Sequence, residues 1–142
     1  GVNVHLLIAG RATGEETDFV ERLRMHPEQG RKLLTLFDAS DQELAHVYVH
    51  ARALVLPSLA EGFGLPLVEA RSRGCAVIAN DLASFSELVD EGVFFYRDNS
   101  DYELAFLVAQ HARQENVPTY KPMSPFTWRD SAAALLEVLN RT

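Results

Sequence analysis

The chain of 142 residues has the length of one ordinary domain, enough to bury well over half of the surface its unfolded form would expose. A hydrophobic fraction of 47%, a charged fraction of 23% and a mean hydropathy of -0.06 are average for a globular protein and exclude a disordered or collagen-like chain. Thirteen Lys and Arg against twenty Asp and Glu leave a net charge of -7, which opposes non-specific binding to nucleic acid or an anionic membrane, so any phosphate-bearing ligand must be held locally.

No apolar run approaches the length that crosses a bilayer, and Gly1 to Gly10 lacks the basic segment of a signal peptide, so a soluble, cytoplasmic protein is expected, with any peripheral contact to a membrane made through parts outside this chain. Val4 to Ala9 reads VHLLIA, a nearly unbroken apolar run that predicts a strand covered on both faces. Glu15 to Met25 puts Phe19, Val20 and Leu23 on one helical face behind a first turn rich in acids. Leu33 to Phe37 predicts a second strand, and Ser40-Asp41-Gln42-Glu43 is a capping box that opens a helix through about Ala51.

Strand Ala53 to Leu56, loop Pro57 to Leu65, helix Pro66 to Arg73 and strand Ala76 to Ala79 follow. The lone cysteine, Cys75, has no partner for an internal disulfide and reads as a small packed thiol in a reducing compartment. Ser84 with Glu87 forms a second capping box and Val93 to Tyr96 a further strand. Ser100 with Glu103 caps a helix whose Leu104, Leu107, Val108 and Ala112 share a face. Gln114 to Ser124 is linker-like, and Trp128, Ala132, Leu135, Leu136 and Leu139 recur at helical spacing to the end. Strands alternating with helices of about ten residues predict an α/β fold, a doubly wound parallel sheet with helices on both faces. Ligands in such sheets bind at the carboxyl ends of the strands, which selects the loops Gly10 to Glu15, Phe37 to Ser40, Pro57 to Leu65 and Asn80 to Ser84.

The third of these runs Glu61-Gly62-Phe63-Gly64-Leu65-Pro66-Leu67-Val68-Glu69-Ala70. Pro66 marks a helix start, leaving the amides of the preceding loop free for an anion, and Gly62 and Gly64 let the backbone approach a ligand closely. Glu69, expected in the helix's first turn, offers a carboxylate that accepts from vicinal hydroxyls such as those of a ribose. Glu61 lies on the loop itself. Two acids beside an anion site are consistent when they bind hydroxyls, which points to a ligand carrying sugars as well as phosphates.

This segment resembles the paired-glutamate (E-x7-E) signature of the retaining glycosyltransferases with two Rossmann-like domains, the GT-B fold, in the large nucleotide-sugar family (group 1, family 4). Ala53 to Ser58 resembles the strand before that signature, Gly74 to Ala79 the strand after it, and Thr127-Trp128 with the last helix the family's C-terminal segment. The resemblance implies the C-terminal, donor-binding domain, truncated on its N-terminal side and without the acceptor-binding domain. It implies that Glu69 holds the ribose, that the amides of Gly62, Phe63, Gly64 and Leu65 contact the donor sugar or its phosphates, and that Glu61, the catalytic candidate, contacts hydroxyls of the transferred hexosyl group. The Arg and Lys that clamp the diphosphate in the family precede the segment beginning at Val2, and Arg11, just after Gly10 at a strand end, is the best remaining candidate for phosphate contact. Family members often carry glycine where Phe37 stands, in the loop that contacts the nucleotide base.

The implied partners are a nucleoside diphosphate sugar and, through the missing domain, an acceptor glycan or lipid in polysaccharide or glycan biosynthesis, with no cofactor and no metal. No Asp-x-Asp pair is present, and the fragment alone is expected to transfer nothing. Each residue also has a plainer reading. Glu69 would be a favourable acid at a helix start, Phe63 would plug the core beneath the loop, and Arg11 would be a solvated loop residue. His46 and His50, four apart, would share a helix face, since Val47 replaces the glutamate of a metalloprotease motif. A nucleotide-sugar epimerase of the same architecture and a non-catalytic binding module are the alternatives. A receiver domain is disfavoured because Lys32 and Lys121, the only lysines, do not end strands where its mechanism needs one.

Overall fold

A computed structural model describes residues 3–11, 17–88, 91–97, 100–113, 120–124 and 127–141, excluding the side chains of Thr17, Ser86 and Glu87. In chain order the elements are β1 (Leu6–Gly10), α1 (Thr17–Arg24), β2 (Leu33–Phe37), α2 (Asp41–His50), β3 (Ala53–Leu56) and α3 (Leu65–Ser72). They continue with β4 (Ala76–Asn80), a 3-10 turn (Ala83–Leu88), β5 (Val93–Tyr96), α4 (Asp101–Arg113) and α5 (Trp128–Asn140). The expected α/β order is present, and every strand pairing is parallel. The ladders are two, β1-β2 and β3-β4-β5, and among the described residues none joins β1 to β3.

The three-stranded ladder carries the core. Parallel register aligns Leu54 with Val77 and Val93, and Leu56 with Ala79 and Phe95, on one face. That face packs on Leu67 and Ala70 of α3 and on Phe85 and Tyr48. Side chains alternate along a strand, so Phe94 turns to the opposite face, where the His111 ring of α4 meets it edge-on at 4.6 Å. Helices therefore cover both faces of this ladder, and β4 in its middle is buried throughout. Beside the other ladder, Val20 and Leu23 of α1 and Leu33 of β2 are buried while Phe19 of α1 stays exposed. The strand β1, expected to be covered on both faces, is largely exposed, and among the described residues no helix packs over it closely enough to bury it.

Local signals explain most element ends. Ser40 and Glu43 form the full reciprocal capping box of α2. At α4 half of the expected box forms: Ser100 Oγ accepts from the Glu103 amide, whereas the Glu103 carboxylate accepts from the Arg97 amide at 2.8 Å. Thr127 and Asp130 supply a full box for α5 that the apolar spacing alone did not reveal. Trp128 on that helix is 92% exposed, and no α5 residue is buried. The Ser84–Glu87 box lies on the 3-10 turn, and its Glu87 side chain is outside the described residues, as are residues 12–16 of the first loop and 114–119 of the linker.

Two buried groups at the amino-terminal end of β4 hold α3 in place. Arg71 is fully buried, donates to the Cys75 and Lys121 carbonyls at 3.0 Å each, and lies 5.5 Å over the Tyr120 ring. A Cβ at Gly92 would collide with that guanidinium, so glycine is needed there for space. Cys75 is buried beside it, and desolvation pushes its thiol pKa up, which removes the reactive thiolate. The native protein should accordingly resist a thiol-reactive disulfide reagent at pH 8 while the denatured protein reacts fully. Rapid native labelling would show that this end of the ladder opens.

Candidate functional site

The segment from β3 to α3 lies at the carboxyl edge of the three-stranded ladder. Gly64 caps α3 with φ 77 and ψ 47 and offers no side chain to the helix amides. The helix begins at Leu65, one residue before the expected start, with Pro66 inside its first turn. Leu67 and Val68 donate to the Gly64 carbonyl at 3.0 and 3.2 Å. Among the described residues the amides of Gly62, Phe63, Gly64 and Leu65 make no hydrogen bond, and they gather at the positive end of the helix dipole.

The two glycines differ in purpose. Gly64 is buried, its φ is left-handed, and a Cβ there would overlap Cε1 of Phe85. Its missing side chain serves packing rather than close approach of a ligand. Gly62 is exposed, and a Cβ added to it meets nothing within 4 Å, so of the two glycines it is the one whose backbone is open to a ligand. Phe63 does not plug the core: it is 51% exposed, and Phe85 fills the space beneath the loop instead. A sequence-only reading misses Phe85 because it comes from the connection after β4, twenty-one residues beyond Gly64.

Each acid is held by a neutral hydroxyl. Ser58 Oγ donates to Glu61 Oε1 at 2.8 Å, and the buried Asn80 at the end of β4 donates through Nδ2 to the Ser58 carbonyl at 3.2 Å. Tyr48, the buried residue of α2, donates its hydroxyl to Glu69 Oε2 at 3.5 Å. Arg73 lies 5.9 Å over that ring and donates to the Glu69 carbonyl at 3.0 Å. Glu69 is exposed and is the fifth residue of α3, so it is in the second turn and not the first, which holds no acid. Helix-dipole stabilisation fades within the first turn, and the plainer reading of Glu69 loses its basis.

Burial raises the Tyr48 phenol to about 12, with the Glu69 charge and the hydrogen bond to Glu69 adding to the effect. The hydroxyl stays protonated, and therefore a donor, across the physiological range. A phenol pKa raised on folding leaves stability intact below about 10 and erodes it as pH rises from there toward 12. Thermal melting should stay level up to pH 9 and fall above 10, with a shallower fall in Tyr48→Phe.

Arg11 follows β1 in the other ladder and is exposed, and no hydrogen bond or ion pair joins it to the Glu61–Glu69 segment among the described residues. In the loop after β2 the left-handed residue is Asp38, with φ 55, one position beyond Phe37. His46 and His50 lie on the exposed face of α2 with tilted rings 4.1 Å apart, and the His46 carbonyl engages His50 Nδ1. No group of three or more metal-binding side chains is assembled among the described residues. Among the same residues no helix is long and apolar enough to cross a membrane.

The family model described as glycosyl transferases group 1 matches residues 1–123, which takes in β1 through α4 and the whole Glu61–Glu69 segment. The chain belongs to the group 1 glycosyltransferases. Among relatives, the serotype-specific mannosyltransferase WbdA of Escherichia coli is 33% identical over 98% of this chain and 17% of its own length. The O-antigen chain mannosyltransferase RfbU of Salmonella typhimurium is 30% identical over 68% of this chain and 27% of its own. The lipopolysaccharide core biosynthesis mannosyltransferase LpsB of Rhizobium meliloti is 36% identical over 61% of this chain and 25% of its own. The chain thus spans between 17% and 27% of the length of these group 1 relatives. The helix α5 lies beyond the matched residues.

Proposed function

We propose that this chain binds the nucleoside diphosphate sugar donor of a retaining glycosyltransferase that builds a glycan. The observation that carries the reading is the pair of hydroxyl-contacted carboxylates, Glu61 and Glu69, which flank in sequence four amides at the start of α3 that make no hydrogen bond among the described residues. Carboxylates accept from sugar hydroxyls, and amides at a helix N-terminus attract phosphate, so the set matches a ligand containing both. Glu69 accepts from the ribose, the amides from Gly62 to Leu65 face the donor phosphates or sugar, and Glu61 accepts from hydroxyls of the transferred sugar. Arg11 is an auxiliary phosphate contact. The relatives named as mannosyltransferases support a hexosyl group, mannosyl in the first instance.

In this reading the donor's C1–O bond to phosphate breaks as the acceptor oxygen bonds C1 on the same face. The acceptor proton passes to a donor phosphate oxygen, and the nucleoside diphosphate departs. The protein contributes orientation and stabilisation of the leaving charge, with Glu61 as a hydroxyl acceptor rather than a covalent nucleophile. In this reading the chain is the donor-binding C-terminal half of a longer glycosyltransferase, like the relatives of which it spans only part, and the acceptor is bound elsewhere. The test is transfer by that longer protein in excess chelator, with the product anomer read by proton NMR. Retention of the donor's anomeric configuration without added metal is expected. An inverted product, strict dependence on magnesium or manganese, or donor binding without turnover would overturn the reading.

A further inference from the structure

Glu61 and Glu69 are each aimed by one neutral hydroxyl, and the two hydroxyls come from different elements. Ser58 lies on the loop leaving β3 and is itself fixed through its carbonyl by the buried Asn80 of β4. Tyr48 reaches from α2 to α3, with its ring in the core and Arg73 over it. Resting on the proposed function, we infer that Tyr48 and Ser58 are positioning residues with separate duties, Tyr48 for recognition of the nucleotide ribose and Ser58 for recognition of the transferred sugar.

The physical argument is the geometry of acceptance. An ionised carboxylate has about four lone-pair sites on two oxygens. A neutral donor occupying one of them fixes the rotamer without neutralising the charge, and the other sites stay directed at a ligand. A lysine or arginine in the same place would compete with sugar hydroxyls far more strongly, since charged partners form the stronger bonds. At Glu61 the donor touches Oε1 at 2.8 Å, leaving Oε2 to a ligand hydroxyl. At Glu69 the donor lies 3.5 Å from Oε2, at the outer limit of a hydrogen bond, so it restrains that carboxylate more loosely than Ser58 restrains Glu61. Both hydroxyls remain protonated at neutral pH, and Tyr48 does so up to about 12. The hydroxyl donors are therefore in place throughout the physiological range.

The two duties separate on three ligands measured with the full-length protein: a nucleoside diphosphate, its 2′,3′-dideoxy analogue and the nucleoside diphosphate sugar. Tyr48→Phe keeps the ring and should weaken the first and third by roughly three- to tenfold while leaving the dideoxy analogue unchanged. Ser58→Ala should leave both sugar-free ligands unchanged and lower kcat/KM for transfer by about tenfold, with Ser58→Thr restoring most of it. Equal loss of ribo- and dideoxy-nucleotide affinity in Tyr48→Phe, or its failure to fold, would make Tyr48 a packing residue and overturn its part. Loss of plain nucleotide affinity in Ser58→Ala would overturn the division of duties. Unchanged behaviour of both variants alongside clear losses in Glu61→Ala and Glu69→Ala would sink this inference and leave the proposed site standing. Silence in all four would remove the site itself.

Discussion

Glu69→Ala in the full-length protein should weaken donor binding by roughly ten- to over a hundredfold, the loss expected when a carboxylate gives up charged hydrogen bonds of about 1.5 to 3 kcal/mol. The melting temperature should move little. Glu69 is exposed and in the second turn of α3, so it contributes little to the helix dipole, and the space its side chain vacates admits water to the Tyr48 hydroxyl. Affinity and stability measured on the same preparation separate the two accounts. A variant with unchanged affinity and a lower melting temperature would return Glu69 to a structural role. A 2′,3′-dideoxy nucleotide is the control: it should bind the wild type poorly and lose almost nothing further on mutation, because the ribose hydroxyls are already gone.

Element identity was legible because the periodic signals here are local. The strands Leu33–Phe37, Ala53–Leu56 and Val93–Tyr96 lie where their apolar runs place them, and the Ser40 box fixes the start of α2. What the sequence concealed is set by contacts distant along the chain. The burial of Gly64 depends on Phe85, and the full burial of Arg71 depends on the Lys121 carbonyl fifty residues away. Neither follows from a helical or strand period, and an arginine beside Ala70 reads as a surface residue. The residues of the proposed site were likewise read as motif chemistry, whereas the hydroxyls that contact its two acids were not. Ser58 precedes Glu61 by three residues and passes as an ordinary loop serine, and Tyr48 sits twenty-one residues before Glu69 and passes as a core aromatic. The split into two ladders was equally hidden, because alternating strands and helices predict parallel pairing without saying which strands are neighbours.

Gly64→Ala should destabilise the protein by roughly 2 to 5 kcal/mol, a large share of the 5 to 15 kcal/mol typical of a folded domain. Two costs add. A left-handed backbone at φ 77 disfavours any residue with a Cβ, and that Cβ would strike the ring of Phe85, itself fully buried and stacked on Phe95. The costs can be told apart with Phe85→Leu, which opens space for the methyl group but leaves the backbone strain, so the double variant should recover only part of the loss. Gly62→Ala is the complementary case, since its φ is not left-handed and its Cβ would meet nothing within 4 Å. It should fold with stability within about 0.5 kcal/mol of the wild type and still bind donor more weakly, because the added methyl group stands where the ligand approaches the backbone. Thermal melting and donor titration of the two single variants decide the matter. If Gly64→Ala folds normally, Phe85 does not control the start of α3. If Gly62→Ala binds donor as the wild type does, the open backbone of this loop is not where the donor lies.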